Sequence, residues 1–332
     1  MKRKKVVVLG SNSFSGSHFV NHLLEHTDWD IIGISRSPEY SPLFLPYLYQ
    51  KERSPRFQFF QLNLNTELPE IMQLLDKEKP AVMVNFAAQG NVQHSWDNPT
   101  EWLMTNTIGI ANLTFSLKDR KYLRKYIQIS TPEIYGLCHN LRENVRIYNP
   151  STPYAVSKVA GDLFLNALFK KFKFPVCFVR STNFYGPHQQ LYRIIPKTII
   201  YLKLGKKLSL HGGGIVKRDF ISIYDVVDGI YRVIGRGEVG NVYHFSYRKL
   251  IRIRDLVKFM CVKMHRSFED SVEISNERSD QDSSFSLNSR AKKELGWEPT
   301  IDLASGVDGV IKWTRENWDE ILKNPLEYIH KA

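Results

Sequence analysis

The sequence predicts an α/β chain: a doubly wound, mostly parallel sheet with helices on both faces, followed by a smaller, mixed region. Three observations carry this expectation. Short β-branched or apolar runs alternate with helical stretches through Val179, the order that makes parallel strands joined by crossover helices. The first run, Val6-Val7-Val8-Leu9, passes directly into a glycine-bounded turn and then a helix, a unit that puts a helix N-terminus at the carboxyl end of a buried strand. Beyond Pro187 the alternation loosens.

The elements follow in order. Gly10-Ser11-Asn12-Ser13-Phe14-Ser15-Gly16 is the turn, and Ser17 to His26 reads as a helix with apolar Phe19, Val20, Leu23 and Leu24. Strand, turn and helix together make a dinucleotide phosphate cradle, in which Gly10 permits the tight turn and Gly16 permits close helix–strand contact. An ordinary turn and helix is the alternative, because the spacing of the two glycines gains meaning only from its placement. Ser13, Phe14 and Ser15 line the turn. The next strand, Ile31 to Ile34, ends in Ser35-Arg36-Ser37. No acidic residue is there to hold ribose hydroxyls, and Ser35 with Arg36 suits a 2′-phosphate, which favours NADP. Arg36 can also stack on adenine, so NAD stays open. Asn63 and Leu64, after the strand-like run Phe57 to Leu62, are expected beside the adenine. Pro38 to Pro55 reads as a loop with short helical turns. Ala81 to Phe86 is another strand, leading to Ala87-Ala88-Gln89-Gly90, where small side chains let a cofactor approach the backbone. Trp102 to Leu117 reads as one amphipathic helix, with Asn106 directed either toward the strand ends or to the surface.

The chemistry-bearing stretch comes next. Tyr126 to Ile129 is a strand-like run ending in Ser130-Thr131-Pro132-Glu133-Ile134-Tyr135-Gly136, and Tyr154-Ala155-Val156-Ser157-Lys158 opens a helix. Tyr154 and Lys158 are four residues apart and share one face. A phenol beside an ammonium can have its pKa lowered and act as a base near neutral pH. A hydroxyl at the neighbouring strand end orients the oxygen that loses its proton. With a hydride acceptor close by, that is alcohol oxidation. Ala87, Ser130 and Arg180 all terminate predicted strands, so their loops are expected to converge on one crevice.

Together these residues resemble the extended short-chain dehydrogenase/reductase family, specifically its nucleotide-sugar 4,6-dehydratases and 4-epimerases. The resemblance covers nearly the whole chain and includes the glycine turn, Asn85-Phe86-Ala87-Ala88, Thr105-Asn106, Ser130 to Gly136, Tyr154-x-x-x-Lys158 and Arg180-Ser181-Thr182-Asn183-Phe184-Tyr185-Gly186-Pro187. It implies a Rossmann-type domain over 1–186, with later returns near 220–250, and a mainly nucleotide-sugar-binding domain over 187–332. It implies NADP or NAD, tightly bound and recycled. Tyr154 then removes the proton of the sugar 4-hydroxyl, Lys158 lowers the tyrosine pKa and holds the nicotinamide ribose, and Thr131 steadies the substrate oxygen. Homodimers pairing the Trp102–Leu117 and Tyr154–Phe169 stretches are expected from the same resemblance.

Two departures from the family pattern bear on the reaction. Ser13 replaces the middle glycine of the turn. Pro132 replaces the aspartate of the family's Thr-Asp-Glu, which protonates the departing 6-hydroxyl, and proline has no proton to give. The resemblance makes Glu133 the base that removes the C5 proton of the 4-keto sugar. Either Glu133 then takes and delivers protons in sequence, or water, Tyr135 or His188 supplies the acid. Alternatively the chain epimerises or only oxidises at C4, with Glu133 binding a hydroxyl; Glu133 as a helix cap or ion-paired carboxylate is the structural alternative. A glutamate without its acid also admits a 5,6-unsaturated product.

In the C-terminal half, Ile194 to Leu204, Ile253 to Met264 and Ser305 to Trp318 read as helices, Leu208 to His211 as a short strand, and Val242 to Ser246 as a strand returning to the large sheet. Arg218 suits a diphosphate through directional, charge-assisted bonds, against a salt bridge to Asp219 or Asp225. The resemblance adds Asn183 and Arg278 as nucleotide-sugar contacts, and Asp282 is placed near the nucleotide or at the surface. The dispersed His188, His211 and His244 form no metal set.

Composition bounds these readings. The 332 residues are 42% hydrophobic and 24% charged, enough for a large core. No apolar run is long enough to span a bilayer, and Met1 to Lys5 leads into a strand rather than a signal-peptide core. Cys138, Cys177 and Cys261 lack metal spacing and a disulfide framework, so a cytoplasmic setting without membrane attachment is expected. The net charge of +12 invites a nucleic-acid reading, but the charge is spread along the chain with no zinc-finger or coiled-coil basic pattern. A basic cleft for a nucleotide diphosphate sugar explains it at least as well. A non-enzymatic sugar binder would need the fold without hydride chemistry, and Tyr154, Lys158 and Thr131 argue against that.

Overall fold

The structure, a computed structural model, describes residues 3–51, 54–275, 285–287 and 290–330. Its strands in chain order are β1 (Lys5–Leu9), β2 (Asp30–Ser35), β3 (Phe57–Gln61), β4 (Val82–Asn85), β5 (Lys125–Ser130), β6 (Cys138–Leu141), β7 (Val176–Ser181), β8 (Asn183–Tyr185), β9 (Leu208–His211), β10 (Lys217–Ser222), β11 (Val242–Phe245), β12 (Leu250–Arg252), β13 (Val272–Ser275) and β14 (Phe285–Leu287).

Seven of them form one sheet in the order β11-β7-β5-β4-β1-β2-β3, and every pairing is parallel. The valines of β1 show why it sits in the middle. Val6 and Val8 pack with Phe19, Val20 and Leu23 of the helix Phe14–His26 and with Val226 and Ile230 of the helix Ile223–Arg236. Val7 and Leu9 face the other way, onto Ile71, Leu75, Leu113 and Leu165. The period-two alternation of a strand thus feeds two apolar layers, one on each face. Strand order reverses between β1 and β4, which opens a crevice at their carboxyl ends. β11 joins the sheet edge beside β7, as the sequence predicts.

A third apolar cluster, with Ile195, Ile199, Leu256, Met260, Val307 and Val310, belongs to the helices of the C-terminal half. The smaller sheets are β12-β10-β8, the parallel pair β13-β9 and the parallel pair β14-β6. The strand at Lys217–Ser222, which the sequence leaves unassigned, pairs in parallel with β8 through Phe220–Ser222 and antiparallel with β12, where Arg218 lies opposite Ile251. Among the described residues no helix is long and apolar enough to cross a membrane.

One expected element differs. The single helix read over Trp102 to Leu117 is a helix at Pro99–Leu103, a π-helical turn at Met104–Gly109 and a helix at Ile110–Leu117. The wider turn rotates the residues that follow it. It also fits against Gly161, where a Cβ would run into the Asn106 carbonyl oxygen.

A buried charge pair ties the sheet to the helix Pro153–Phe172. Ser130 and Arg180 are register partners on β5 and β7. Arg180 Nη2 donates to Asp162 Oδ2 at 2.8 Å, and Ser130 Oγ donates to the same oxygen at 2.7 Å. The side chains of Arg180 and Asp162 are only 2% and 3% exposed. Removing one partner would leave the other as an uncompensated buried charge. Asp162→Ala should therefore lower the free energy of unfolding by ~3–5 kcal/mol, as read from urea unfolding; a loss of less than ~1 kcal/mol, the worth of a surface pair, would contradict this assignment.

Candidate active site

The crevice is built first from backbone contact. Gly10 has φ +75°, and a Cβ on it would come within 2.6 Å of the Ala87 nitrogen. The turns after β1 and β4 therefore touch through main chain. At Gly16 a Cβ would run into the Gly10 carbonyl. Ser13, where the resemblance leads one to expect glycine, caps the helix Phe14–His26: its hydroxyl accepts from Gly16 N at 3.0 Å and donates to Gly10 O at 2.7 Å. Its proton is thus committed within the turn. The N–H groups of Phe14 and Ser15 lie in the first helical turn and have no intrahelical acceptors. This close-packed cradle at a helix N-terminus fits a dinucleotide pyrophosphate.

Around the cradle, Ser35 is buried and accepts from Asn12 N at 3.0 Å, with Ser11 Oγ 3.3 Å away. It braces the glycine turn, so Arg36 is left as the residue suited to a 2′-phosphate or to adenine. Asn12 was not foreseen as important. Its amide donates to the carbonyls of Ser37 and Pro38 at 2.9 and 2.8 Å, and its oxygen accepts from Tyr47. Asn63 shapes its loop, donating its N–H to Glu67 at 2.7 Å and accepting from Asn65 N at 3.0 Å. Leu64 packs into the sheet's apolar layer. Ala87 is half-buried, Ala88 exposed and Gln89 buried.

Asn106 points toward the strand ends. It is fully buried, accepts from Gln89 N at 2.9 Å, and donates to Gln89 O at 3.0 Å and Ser157 Oγ at 2.9 Å. Ser157 Oγ in turn donates to Tyr154 O at 2.7 Å. One amide side chain thereby fixes the loop after β4 against the first turn of the helix that carries Tyr154 and Lys158.

The titratable groups converge where β5 ends. Thr131 caps the 3₁₀ turn Pro132–Tyr135, its hydroxyl accepting from Glu133 N at 3.2 Å, and it acts on the Tyr154 phenol in the direction that favours the phenolate. Lys158 Nζ donates to Ile129 O at 2.8 Å. Burial brings the lysine down to about 8, with Asp162 opposing. The expected lowering of Tyr154 by Lys158 is corrected here. Burial, and then the charge of Glu133, raise the phenol above its ordinary value, outweighing the influence of Thr131 and the charge of Arg193. Burial also lifts the Glu133 carboxyl to about 7, against the opposing charges of Arg218 and Arg193. A carboxyl at that value exchanges protons readily in both directions near neutral pH.

On the substrate side, Asn183 is exposed and donates to Asp219 O at 3.2 Å. The carboxylates considered as partners for Arg218 have other donors: Asp219 accepts from Ser246 Oγ and Arg248 N, and Asp225 from Thr300 and Ile301. Arg218 is near enough for its charge to act on Glu133. Arg278 and Asp282 lie outside the described residues. Two considered acids are engaged elsewhere. The Tyr135 hydroxyl accepts from Arg180, bonds to His244 Nε2 at 3.0 Å and is pushed up to about 12, mainly by burial. His188 bonds through Nδ1 to Leu43 O at 2.8 Å and packs beside His18 and Trp313. Arg193, whose charge acts on both Glu133 and Tyr154, belongs to no motif that marks it in the sequence.

Comparison with known proteins agrees with this geometry. The profile of the family described as "NAD dependent epimerase/dehydratase family" matches residues 6–245. The human dTDP-D-glucose 4,6-dehydratase is 29% identical over 323 residues, covering 95% of this chain and 91% of that protein; the Haemophilus influenzae dTDP-glucose 4,6-dehydratase is 27% identical, covering 93% and 97%. The crystal structure of DesIV, a dTDP-glucose 4,6-dehydratase from Streptomyces venezuelae with NAD bound, superposes with a TM-score of 0.87 at 26% identity, covering 95% of this chain and 98% of that one.

If Asn106 orients the Tyr154 helix, Asn106→Ala should lower kcat about 100-fold, the typical consequence of misplacing a catalytic group by an ångström. Steady-state kinetics together with a circular dichroism spectrum check this; an unchanged kcat would show that the bridge has no part in orientation.

Proposed function

We propose, from the premise that the chain belongs to the NAD-dependent epimerase/dehydratase family, that it is a nucleotide-sugar 4,6-dehydratase in which Glu133 serves as both base and acid of the elimination. One observation carries this reading: a carboxyl lifted to about 7 stands beside Thr131 and Tyr154, next to a proline that cannot donate a proton.

The glycine turn holds the pyrophosphate of NAD(P), Arg36 and the loop at Asn63 meet its adenosine end, and Lys158 meets the nicotinamide ribose. NAD(P) bound there would supply a hydride acceptor for the sugar C4 and a hydride donor for C6. Arg218 and Asn183 bind the nucleotide diphosphate part of the substrate. Thr131 and Tyr154 share the 4-hydroxyl oxygen, and the small phenolate fraction of Tyr154, whose phenol is held above its ordinary value, takes its proton while the C4–O bond becomes a carbonyl. That ketone acidifies C5–H. The Glu133 carboxylate takes the C5 proton, the C5–C6 double bond forms, and the C6–O bond breaks. The same carboxyl, now protonated, gives its proton to the departing hydroxyl. One water leaves, and Glu133 is again a carboxylate. A hydride at C6 and a proton at C5, taken from solvent while Tyr154 returns its own proton to solvent, then complete a 4-keto-6-deoxy sugar.

Several features support the wider assignment. Met104, Ile108 and Phe115 on one helical stretch, and Val156, Leu163 and Phe172 on the Tyr154 helix, are exposed apolar residues, the composition of a buried helix–helix interface. A homodimer through these helices is the reading that covers them. Three buried free cysteines suit a reducing, cytoplasmic setting. Residues 1–186, with the returning segment 220–250, serve the cofactor, and 187–332 mainly the nucleotide sugar.

Offered a panel of nucleoside-diphosphate hexoses, the protein should yield a product lighter by one water, with a C6 methyl group in its proton NMR spectrum. Unchanged mass would establish epimerisation, and a C5–C6 alkene would show elimination without hydride return; either contradicts the proposal. Because Glu133 must begin as a carboxylate, activity should fall as pH drops through about 7, and Tyr154, acting as phenolate, makes C4 oxidation faster as pH rises.

A further inference from the structure

Residues 324–330 leave the C-terminal helical layer and cross to the cofactor side of the crevice. Glu327 is held at the helix Ile194–Leu204, by Lys197 Nζ at 2.9 and 3.1 Å and by the Tyr201 hydroxyl at 3.1 Å. The next residue makes the crossing. The Tyr328 ring stacks on His94, in the loop that follows β4, with centroids 4.6 Å apart and planes inclined by 22°. It meets Tyr192 edge-on at 5.2 Å and 78°. His330 then fastens the far end. Its Nε2 is 2.7 Å from Glu101 Oε2, and its ring lies parallel to Trp102 at 5.4 Å and 9°. Trp102 is fully buried in Pro99–Leu103, the helix that runs into the π turn bearing Asn106.

Tyr192 has a second neighbour. The Arg193 guanidinium lies over its ring, 5.2 Å from the centroid, within the range of a cation–π contact. Arg193 is the cap residue before the helix Ile194–Leu204, in extended conformation at φ −71° and ψ 147°, so the helix does not itself direct the side chain. A continuous series of contacts thus runs from His94 through Tyr328 and Tyr192 to Arg193, whose charge reaches Glu133 and Tyr154.

We propose that Tyr328 is a positioning residue for the reaction: by clamping Tyr192 against His94 it holds the Arg193 guanidinium beside the reacting end of the crevice. The proposal rests on the reading of Glu133 as the proton-exchanging carboxyl. The charged and titratable groups that face Tyr328 are Tyr192, Arg193, Arg36 and Glu101, with His94 and His330 in direct contact; those that face Glu133 are Arg218, Arg193 and Tyr154. Arg193 favours the Glu133 carboxylate. Releasing it weakens that stabilisation, so Glu133 holds its proton to higher pH.

The test follows the Glu133 carboxyl itself, by carbon NMR of protein labelled at glutamate side-chain carboxyls, with the resonance assigned by its loss in Glu133→Gln. In Tyr328→Ala the titration midpoint should move up by about 0.5 pH or more, and the acid limb of kcat should move with it. Tyr328→Phe, which keeps the ring and loses the hydroxyl, should titrate like the parent. Tyr192→Leu, which removes the ring under Arg193 and leaves residues 324–330 unchanged, should reproduce the upward shift, so the proposal stays testable if one variant folds poorly. A midpoint in Tyr328→Ala and Tyr192→Leu equal to that of the parent overturns the positioning role. Absence of water loss by the parent, with the midpoints shifted as expected, instead overturns the dehydratase reading and leaves the positioning role standing.

Discussion

The buried pair Arg180–Asp162 is the constraint on which the reacting groups depend. It joins β5 and β7 to the helix Pro153–Phe172 through three partners: Ser130 at the end of β5, Arg180 on β7, and Asp162 one turn beyond Lys158. Thr131 and Glu133 follow Ser130 directly, and Tyr154 and Lys158 stand on the same helix as Asp162. Two charges taken out of water attract each other strongly only if their geometry is kept and their other hydrogen bonds are made. Here Arg180 also donates to Tyr135, whose hydroxyl bonds to His244 on β11, while Asp162 Oδ1 and Arg180 Nε are buried without a hydrogen-bond partner among the described residues. A network of this kind, costly if partly broken, fixes the distance between the strand end and the helix Pro153–Phe172 more firmly than apolar contact alone.

The same burial that makes this network costly to break sets the proton chemistry in front of it. A carboxylate at Glu133 is disfavoured by desolvation and favoured by Arg218 and Arg193; desolvation wins, and the group rests near neutrality. Were the cations to win, the carboxyl would be too weak a base for C5 and, once protonated, would release its proton to solvent too readily. In a family whose pattern divides base and acid between two neighbouring side chains, Pro132 leaves one position without a proton. In the proposed elimination, a glutamate held near 7 takes the place that neither an ordinary exposed glutamate nor Pro132 can fill.

How much of this was legible in the sequence depended on whether the deciding physics is local. Gly10 and Gly16 were readable because a positive φ and a close backbone approach exclude every other residue at the site itself. The parallel sheet was readable from its alternating apolar runs, and β11 from its short apolar segment. Asn106 was ambiguous because the π turn shifts the helical phase without a signal in residue type. Lys158 was expected to lower Tyr154 because the two are four residues apart, yet the deciding influence is burial by the rest of the chain, which no spacing encodes. Arg193, Tyr192 and Tyr328 share no period, and only the path of residues 324–330 across the crevice brings them into one row.

In the proposed mechanism one carboxyl removes the C5 proton and returns it to the leaving hydroxyl. Single-turnover reaction of Glu133→Gln with a nucleotide-sugar substrate tests it most directly, following the absorbance of reduced nicotinamide and the mass of the sugar together. The reduced-nicotinamide signal should appear and persist, because the proposed roles of Tyr154, Thr131 and Lys158 in C4 oxidation are untouched, while no water is lost. Loss of water by Glu133→Gln at a rate near that of the parent would contradict it.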